Sequence, residues 1–447
     1  MPVDHMSVTF LGTAAGRPST TRNVSSLVVK LDSKLWVFDA GEATQHQFMN
    51  EQCKLPMSKV ARIFVTHMHA DHINGLPGLL CTISAGEGGV LPGQEDPRLG
   101  ESQQIPPTEI YGPSGLRLFL RTCLSLTQSI LTRPYVVHEL LFADELEEQG
   151  ALHPSERQGR NIRQGMDGFW RDVVDDREGR GVSVSAGPIE HTVRCLGYIL
   201  TESPRSLPIQ PQLYIPHLKR PANAAALAAS GVKNPVSLLS RLQTEREPIT
   251  LADGTVLRPP DLDPSGGRRI IVLGDTYDAT YLLRFLRPPG TSDDAGPVDL
   301  VVHESTNAFL PTLDESQAAG KVSRETGQAA TLASVTATAR AHGHSTPQVA
   351  GAFAREARAT TLVLNHLSVK YPDPEAEGAR SASDESRSKW REMLREIERQ
   401  AGDEMRRGRD DEQGEGEGEG LEVRAARDFL VVEVPRRDKR KKAQGKG

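Results

Sequence analysis

Within Val65-Thr66-His67-Met68-His69-Ala70-Asp71-His72, three imidazoles and a carboxylate fall in six residues directly after an apolar run. Imidazole and carboxylate without cysteine suit zinc or a similar borderline divalent ion. A mixed nitrogen and oxygen set with room for water belongs to a catalytic site. A helix brings ligands three or four residues apart onto one face, so this spacing predicts a loop, with His67 and His69 projecting together and Asp71 and His72 turning elsewhere. That division points to two adjacent ions.

Partners for this loop must come from other strand ends. Arg62 to Val65 reads as a short buried strand leading into the loop, because it is apolar and β-branched without a helical period. Asp39 ends the strand Leu35 to Phe38 and is placed to orient ligands from behind. His191 sits at a bend between strands Val182/Val184 and Cys195 to Leu200, and Asp275 ends the apolar strand Arg269 to Leu273. One carboxylate has two oxygens and can bridge ions held roughly 3.5 to 4 Å apart. His303 and Glu304 follow Leu300 to Val302, and His366 follows Thr361 to Asn365. His344 stands just before a helix that Thr346 can cap and Pro347 can begin. A helix entrance suits an anion such as phosphate.

At 447 residues, with 37% hydrophobic residues and a mean hydropathy of -0.42, the chain is predicted to be one large domain carrying polar insertions. Residues 144–180 read as a charged surface insertion, 201–265 as a protruding arm with a basic side, and 372–420 as an acidic low-complexity insertion with an amphipathic helix from Arg387 to Arg399. Residues 421–435 return to strand character, and 436–447 form a basic tail. Four scattered cysteines without a CxxC pair, three of them in apolar surroundings, predict buried, reduced thiols. No long apolar segment predicts a membrane span, and strand-like sequence from Ser7 leaves little room for a leader. A soluble intracellular protein follows, in cytoplasm or nucleus given the basic tail, with a mitochondrial place unsupported. The net charge of -6 gives no global argument for nucleic acid, so any such contact must be local.

Assembled, these pieces resemble the metallo-β-lactamase fold and, within it, ribonuclease Z of the short form. The resemblance runs from Ser7 to Tyr371 and resumes at Leu421. Beyond the histidine loop it rests on Phe10-Leu11-Gly12-Thr13, Phe38-Asp39-Ala40-Gly41-Glu42, Gly75-Leu76-Pro77-Gly78-Leu79-Leu80, His303-Glu304 paired with His344-Ser345-Thr346, and Arg427-Asp428-Phe429-Leu430-Val431-Val432. It implies an α/β fold, an αββα sandwich, with a catalytic domain over 1–371 and an exosite arm at 201–265. It also implies two zinc ions, one on His67, His69, His191 and Asp275, the other on Asp71, His72, His366 and the shared Asp275. Asp71 would take the water proton, and His344, positioned through Glu304, would protonate the leaving oxygen, with Asp39 and His303 in supporting places. The implied reaction is endonucleolytic removal of 3′ trailers from precursor tRNA, leaving a 3′-hydroxyl, by a homodimer. Arg17 and Arg22 of the N-terminal loop and Lys219, Arg220, Lys233 and Arg241 of the arm are the expected RNA contacts. The arm departs from the family pattern, since its Gly-Pro motif is represented only by Gly231 to Pro235. The competing readings are a hydrolase of small phosphodiesters or sulfate esters, similar to arylsulfatases, and a tRNA-binding scaffold with an inactive site.

Overall fold

The structure, a computed structural model, describes residues 3–86, 105–147, 150–176, 181–287, 296–314, 316–317, 329–408 and 420–437. In chain order the strands are β1 (Met6–Gly12), β2 (Ser26–Leu31), β3 (Lys34–Phe38), β4 (Val60–Phe64), β5 (Thr108–Pro113), β6 (Tyr135–Leu141), β7 (Glu156–Arg157), β8 (Asn161–Arg163), β9 (Trp170–Asp176), β10 (Val182–Ile189) and β11 (Cys195–Glu202). They continue as β12 (Ile249–Thr250), β13 (Val256–Leu257), β14 (Arg269–Leu273), β15 (Leu300–Glu304), β16 (Thr361–Asn365), β17 (Glu422–Ala425) and β18 (Val431–Glu433). One sheet runs β18-β1-β2-β3-β4-β5-β6-β7, with β8 also on β6; the second runs β17-β16-β15-β14-β11-β10-β9.

Strand alternation divides the apolar residues into layers. Phe10, Leu27, Val29, Trp36 and Phe38 of the first sheet meet Tyr198, Leu200, Val272 and Val363 of the second in one inter-sheet core. The alternate residues of the same strands face outward: Val28, Leu35 and Val37 pack under helices Leu76–Gly86 and Leu116–Leu126. Ile199, Ile271, Leu362 and Leu364 pack under helices Pro347–Glu356 and Asp384–Arg406. Two sheets between two helical layers make the αββα sandwich.

Two segments expected as insertions are instead structural. Residues 144–180 carry β7 and β8 of the first sheet and then cross to the second as β9, with Trp170, Val173 and Val174 in the inter-sheet core. Arg157, Arg163, Arg171, Asp172 and Asp175 are exposed on these strands, where charge hinders unwanted pairing, while Glu156 is buried against Arg121. Within 372–420 the helix extends over Asp384–Arg406, capped by Ser383, and buries Met393, Ile397, Ala401 and Met405 at a four-residue spacing. That single apolar stripe is invisible in an average over a charged segment. Against it lies helix Pro347–Glu356, so close that a Cβ on Gly351 would stand 2.2 Å from the Ala401 carbonyl oxygen. The Gly-Glu repeat at 414–419, residues 87–104 and the lysine-rich tail from 438 lie outside the described residues.

The returning segment 421–435 makes two strands rather than one: β17 extends the second sheet parallel to β16, and β18 extends the first antiparallel to β1. Residues 201–265 form three short helices and the β12-β13 hairpin around a separate core of Leu218, Leu238, Leu239, Leu242, Leu251 and Leu257. All four cysteines are free thiols, but only Cys195 is buried as expected; Cys53, Cys81 and Cys123 are partly exposed. No helix among the described residues is long and apolar enough to cross a membrane.

Candidate metal centre

The strand ends converge at one edge of the sandwich. β4 delivers Val65 and Thr66 to His67, and a one-turn helix, Ala70–Ile73, begins immediately after His69. His67 and His69 thus lie on extended chain and Asp71 and His72 on the turn, the division that the spacing predicts. His191 comes from the bend between β10 and β11, Asp275 from beyond β14, and His366 from the end of β16, where its backbone is left-handed at φ 52°.

Three groups of donor atoms form; Glu304, His344 and His366 make a smaller one, and Asp275 belongs to the two larger. His67, His69, His191 and Asp275 make one, and Asp71, His72, His366 and Asp275 the other, the atoms of each group lying within 4.8 Å of one another. Asp275 Oδ2 stands 3.8 Å from His67 Nε2, 3.9 Å from His191 Nε2 and 3.2 Å from His366 Nε2, while its Oδ1 stands 3.4 Å from His72 Nε2. Asp71 Oδ2 lies 3.2 Å from His366 Nε2 and accepts from the Gly16 amide at 2.8 Å.

The far nitrogens explain why these rings face inward. His72 Nδ1 donates to Asp39 Oδ2 at 2.7 Å, His67 Nδ1 bonds Thr66 Oγ1 at 3.0 Å, His191 Nδ1 donates to the Gly343 carbonyl at 2.7 Å, and His366 Nδ1 bonds Thr306 Oγ1 at 3.0 Å. Gly343 is required there: its φ is +84°, and a Cβ would stand 2.5 Å from His191 Nδ1. With those hydrogens placed, the inward nitrogens of His67, His72, His191 and His366 are lone pairs whenever the rings are neutral. His69 Nδ1 and His191 Nε2 are 3.2 Å apart, His72 and His366 Nε2 are 3.4 Å apart, and the buried His67 Nε2 has no hydrogen-bond partner.

Lone pairs pressed together fit a cation between them. The charges agree: burial holds His67 well below the ordinary imidazole range, and it also lowers His69 and His191, so all three are neutral donors. Burial opposes ionisation of Asp275, yet His366 and His72 keep it well below the carboxylate range. Burial opposes charge on His72 too, but Asp275 and Asp39 raise it well above the imidazole range. The pocket therefore selects positive charge, and a divalent ion supplies it without a proton.

Asp39 lies behind the cage as expected, its other contacts being the Thr66 amide at 2.7 Å and hydroxyl at 2.8 Å. Glu304 Oε1 accepts from His344 Nδ1 at 3.0 Å and from the Thr276 amide at 2.7 Å. His344 Nδ1 is 3.9 Å from Asp275, and its Nε2 makes no hydrogen bond among the described residues. Thr346 holds the N-cap position of the next helix, but its hydroxyl makes no capping bond. His303 is not beside the ligands. Strand alternation turns it to the opposite face from Glu304, where its Nδ1 donates to the Glu304 carbonyl at 2.8 Å and its ring packs on Phe353.

Of the expected RNA contacts, Arg22 is displaced most. It is 1% exposed, with Nε on the Tyr371 carbonyl at 3.0 Å and Nη1 on Thr13 Oγ1 at 2.8 Å and the Ala426 carbonyl at 2.6 Å. The loop folds inward because this guanidinium joins three separated segments. Arg22→Ala should therefore lower the unfolding free energy by about 2–4 kcal/mol, through stranded buried carbonyls, in a denaturant titration. Unchanged stability together with weaker RNA binding would restore it as a phosphate contact. Arg17, Lys219 and Lys233 are exposed, whereas Arg220 pairs with Asp253 at 2.7 Å and Arg241 with Glu245 at 3.0 Å. Thr66 and Thr306 went unnominated, although each stands within two residues of a nominated strand-end group.

Residues 6–85 match a family model described as anti-Pycsar protein Apyc1. Over 447 aligned residues, 96% of this chain, it is 33% identical to the Mus musculus protein named zinc phosphodiesterase ELAC protein 1, covering 99% of that relative. It is 32% identical over 375 residues, 83% of this chain, to ribonuclease BN of Proteus mirabilis, covering 92% of it. Among solved structures, human tRNase Z, short form, superposes with a TM-score of 0.53 at 26% identity, covering 96% of this chain and all of that one.

Proposed function

The chain belongs to the family of short-form tRNase Z and ribonuclease BN proteins of the metallo-β-lactamase fold, and from that premise we propose that it is a metal-dependent endoribonuclease that removes 3′ trailers from precursor tRNA. The observation that carries this reading is a complete pair of donor groups sharing Asp275, with the Glu304-held His344 beside them. A hydrolase of activated aryl esters needs the donors but not the acid, because such a leaving group departs without a proton.

On this reading His67, His69, His191 and Asp275 hold one zinc ion, and Asp71, His72, His366 and Asp275 the other. When bound, the pair supplies activated water and draws off charge from the attacked phosphate. The chain's own residues do the rest. Asp71 takes the proton of the attacking water, held for that by the Gly16 amide and kept ionised by His366 and His72 against the effect of burial. His344 delivers a proton from Nε2 to the departing 3′-oxygen, because Glu304 occupies Nδ1 and fixes the ring. Of the exposed cations expected to meet phosphate, Arg17, Lys219 and Lys233 do so without first giving up an ion pair such as Arg220–Asp253 or Arg241–Glu245, with the arm as the grip on the tRNA body. The functional unit is a homodimer inside the cell, as the family resemblance implies.

Dialysis against a chelator should abolish cutting of a 3′-extended precursor tRNA, and cutting should return as zinc reaches two equivalents per chain. Turnover of a small phosphodiester or sulfate ester by the zinc-loaded chain, without any cutting of the precursor, would overturn the reading.

A further inference from the structure

Two threonine hydroxyls lie behind the donor groups, and the bonding around them repeats. On one side Thr66 Oγ1 donates to Asp39 Oδ2 at 2.8 Å and accepts from His67 Nδ1 at 3.0 Å, while Asp39 also takes the His72 Nδ1 hydrogen. On the other, Thr306 Oγ1 donates to Glu304 Oε2 at 2.6 Å and accepts from His366 Nδ1 at 3.0 Å, while Glu304 also takes the His344 Nδ1 hydrogen. The His366 carbonyl is another acceptor 3.0 Å from Thr306 Oγ1. One hydroxyl hydrogen serves one of them, and the nearer, ionised carboxylate is the stronger acceptor. All of this is buried except His344, whose side chain is 19% exposed, and Asp39 and His366 are both left-handed at strand ends, φ 57° and 52°.

The two sides differ in one respect. Both imidazoles tied to Asp39 belong to the donor groups, whereas Glu304 ties one donor, His366, to a ring outside both sets of four, His344.

Resting on the metal-hydrolase reading above, we propose that Thr306 is a positioning residue for both halves of the reaction, while Thr66 positions cation ligands alone. Thr306 keeps His366 in the tautomer that offers Nε2 to the ion, because an Nδ1 hydrogen with a fixed acceptor cannot migrate. Its own hydrogen fills Glu304 Oε2, so that Oε1 is left to the Thr276 amide and His344. Removing that hydroxyl leaves Oε2 only the longer bond from the Thr306 amide, 3.3 Å, so that the carboxylate holds the acid less firmly.

The test uses the full chain with Thr306→Val, Thr306→Ser and Thr66→Val. Zinc affinity is read by competition with a chromophoric chelator, and rates at saturating zinc are read on precursor tRNA and on a p-nitrophenyl phosphodiester. Thr306→Val should weaken one of the two zinc equivalents about 10–100-fold. At saturating zinc it should still lose about tenfold more rate on tRNA than on the activated ester, which needs no acid. Thr66→Val should also weaken zinc, but its remaining rate loss should fall equally on the two substrates, and Thr306→Ser should match the parent in both readouts. Parental zinc affinity in Thr306→Val, an equal loss on both substrates, or a serine variant as poor as the valine one would each overturn the proposal. If the valine variant does not fold, nitrogen-15 shifts of the zinc-loaded parent decide: a protonated His366 Nδ1 is expected, and a protonated Nε2 refutes it. A parent chain that binds zinc but cuts no tRNA would sink the functional reading and still leave the zinc and tautomer measurements to judge Thr306.

Discussion

Asp275→Ala should leave the chain unable to cut precursor tRNA and unable to retain either ion. The carboxylate is 2% exposed and lies within 4 Å of four inward imidazole nitrogens contributed by both donor groups. On the proposed assignment, removing any other donor should cost one site and removing this one both. Each ion stabilises the charged transition state by several kcal/mol, and 1.36 kcal/mol is tenfold, so the rate should fall on the order of 10³–10⁵-fold. Elemental analysis of the purified variant should find under half an equivalent of zinc per chain, about what incidental surface binding leaves. A variant with two equivalents and a rate within about tenfold of the parent would show that the groups do not depend on the shared carboxylate.

His344→Gln should do the opposite to the metal and nearly as much to the rate. Its Nδ1 is engaged by Glu304, and it belongs to neither set of four, so zinc content should stay at the parental value. Loss of a general acid costs about 10²–10⁴-fold on a poor leaving group such as a ribose oxygen, and far less on p-nitrophenolate. The pH dependence carries a second signature. Burial disfavours the charged ring, but Glu304, Asp275 and Asp71 push His344 up to about 9. A raised value means that the proton is present at neutral pH and is lost as pH rises through that range, so the acid-competent fraction falls on the alkaline side. Bound cations repel the proton and move this limb downward without changing its direction. The parent should therefore show a falling alkaline limb in kcat/KM on tRNA, and His344→Gln should lack it. Zinc lost along with the rate, or an alkaline limb that persists, would remove His344 from the role.

Much of the centre was legible because strands end abruptly. Each donor follows a run of alternating or β-branched apolar residues, as with Ile63 to Val65 before His67 or Thr361 to Leu364 before His366, and a sandwich gathers such ends at one edge. The same alternation misplaced His303. Neighbours in a strand point to opposite faces, so Glu304 could reach His344 only if His303 turned toward Phe353. Composition misled at 144–180, where few apolar residues hold an edge strand when they recur at period two; at 372–420 the amphipathic helix expected over Arg387 to Arg399 forms, but Met393, Ile397, Ala401 and Met405 carry it on to Arg406. Arg22 was misread because a basic residue in a polar loop carries no sign of the distant carbonyls of Tyr371 and Ala426 that fold over it. The two threonines were hidden for a related reason: their importance lies in which carboxylate and which imidazole they join.

The central claim is that one bimetallic edge, equipped with an acid for a poor leaving group, cuts a phosphodiester of precursor tRNA. The most direct measurement is to incubate the zinc-loaded chain with a 5′-labelled, 3′-extended precursor tRNA and to map the new end. The account predicts one cut at the junction of the tRNA body and its trailer, a 3′-hydroxyl on the tRNA product, and a 5′-phosphate on the trailer. A 3′-phosphate, scattered cuts along the chain, or an intact precursor under conditions where an activated phosphodiester is consumed would contradict it.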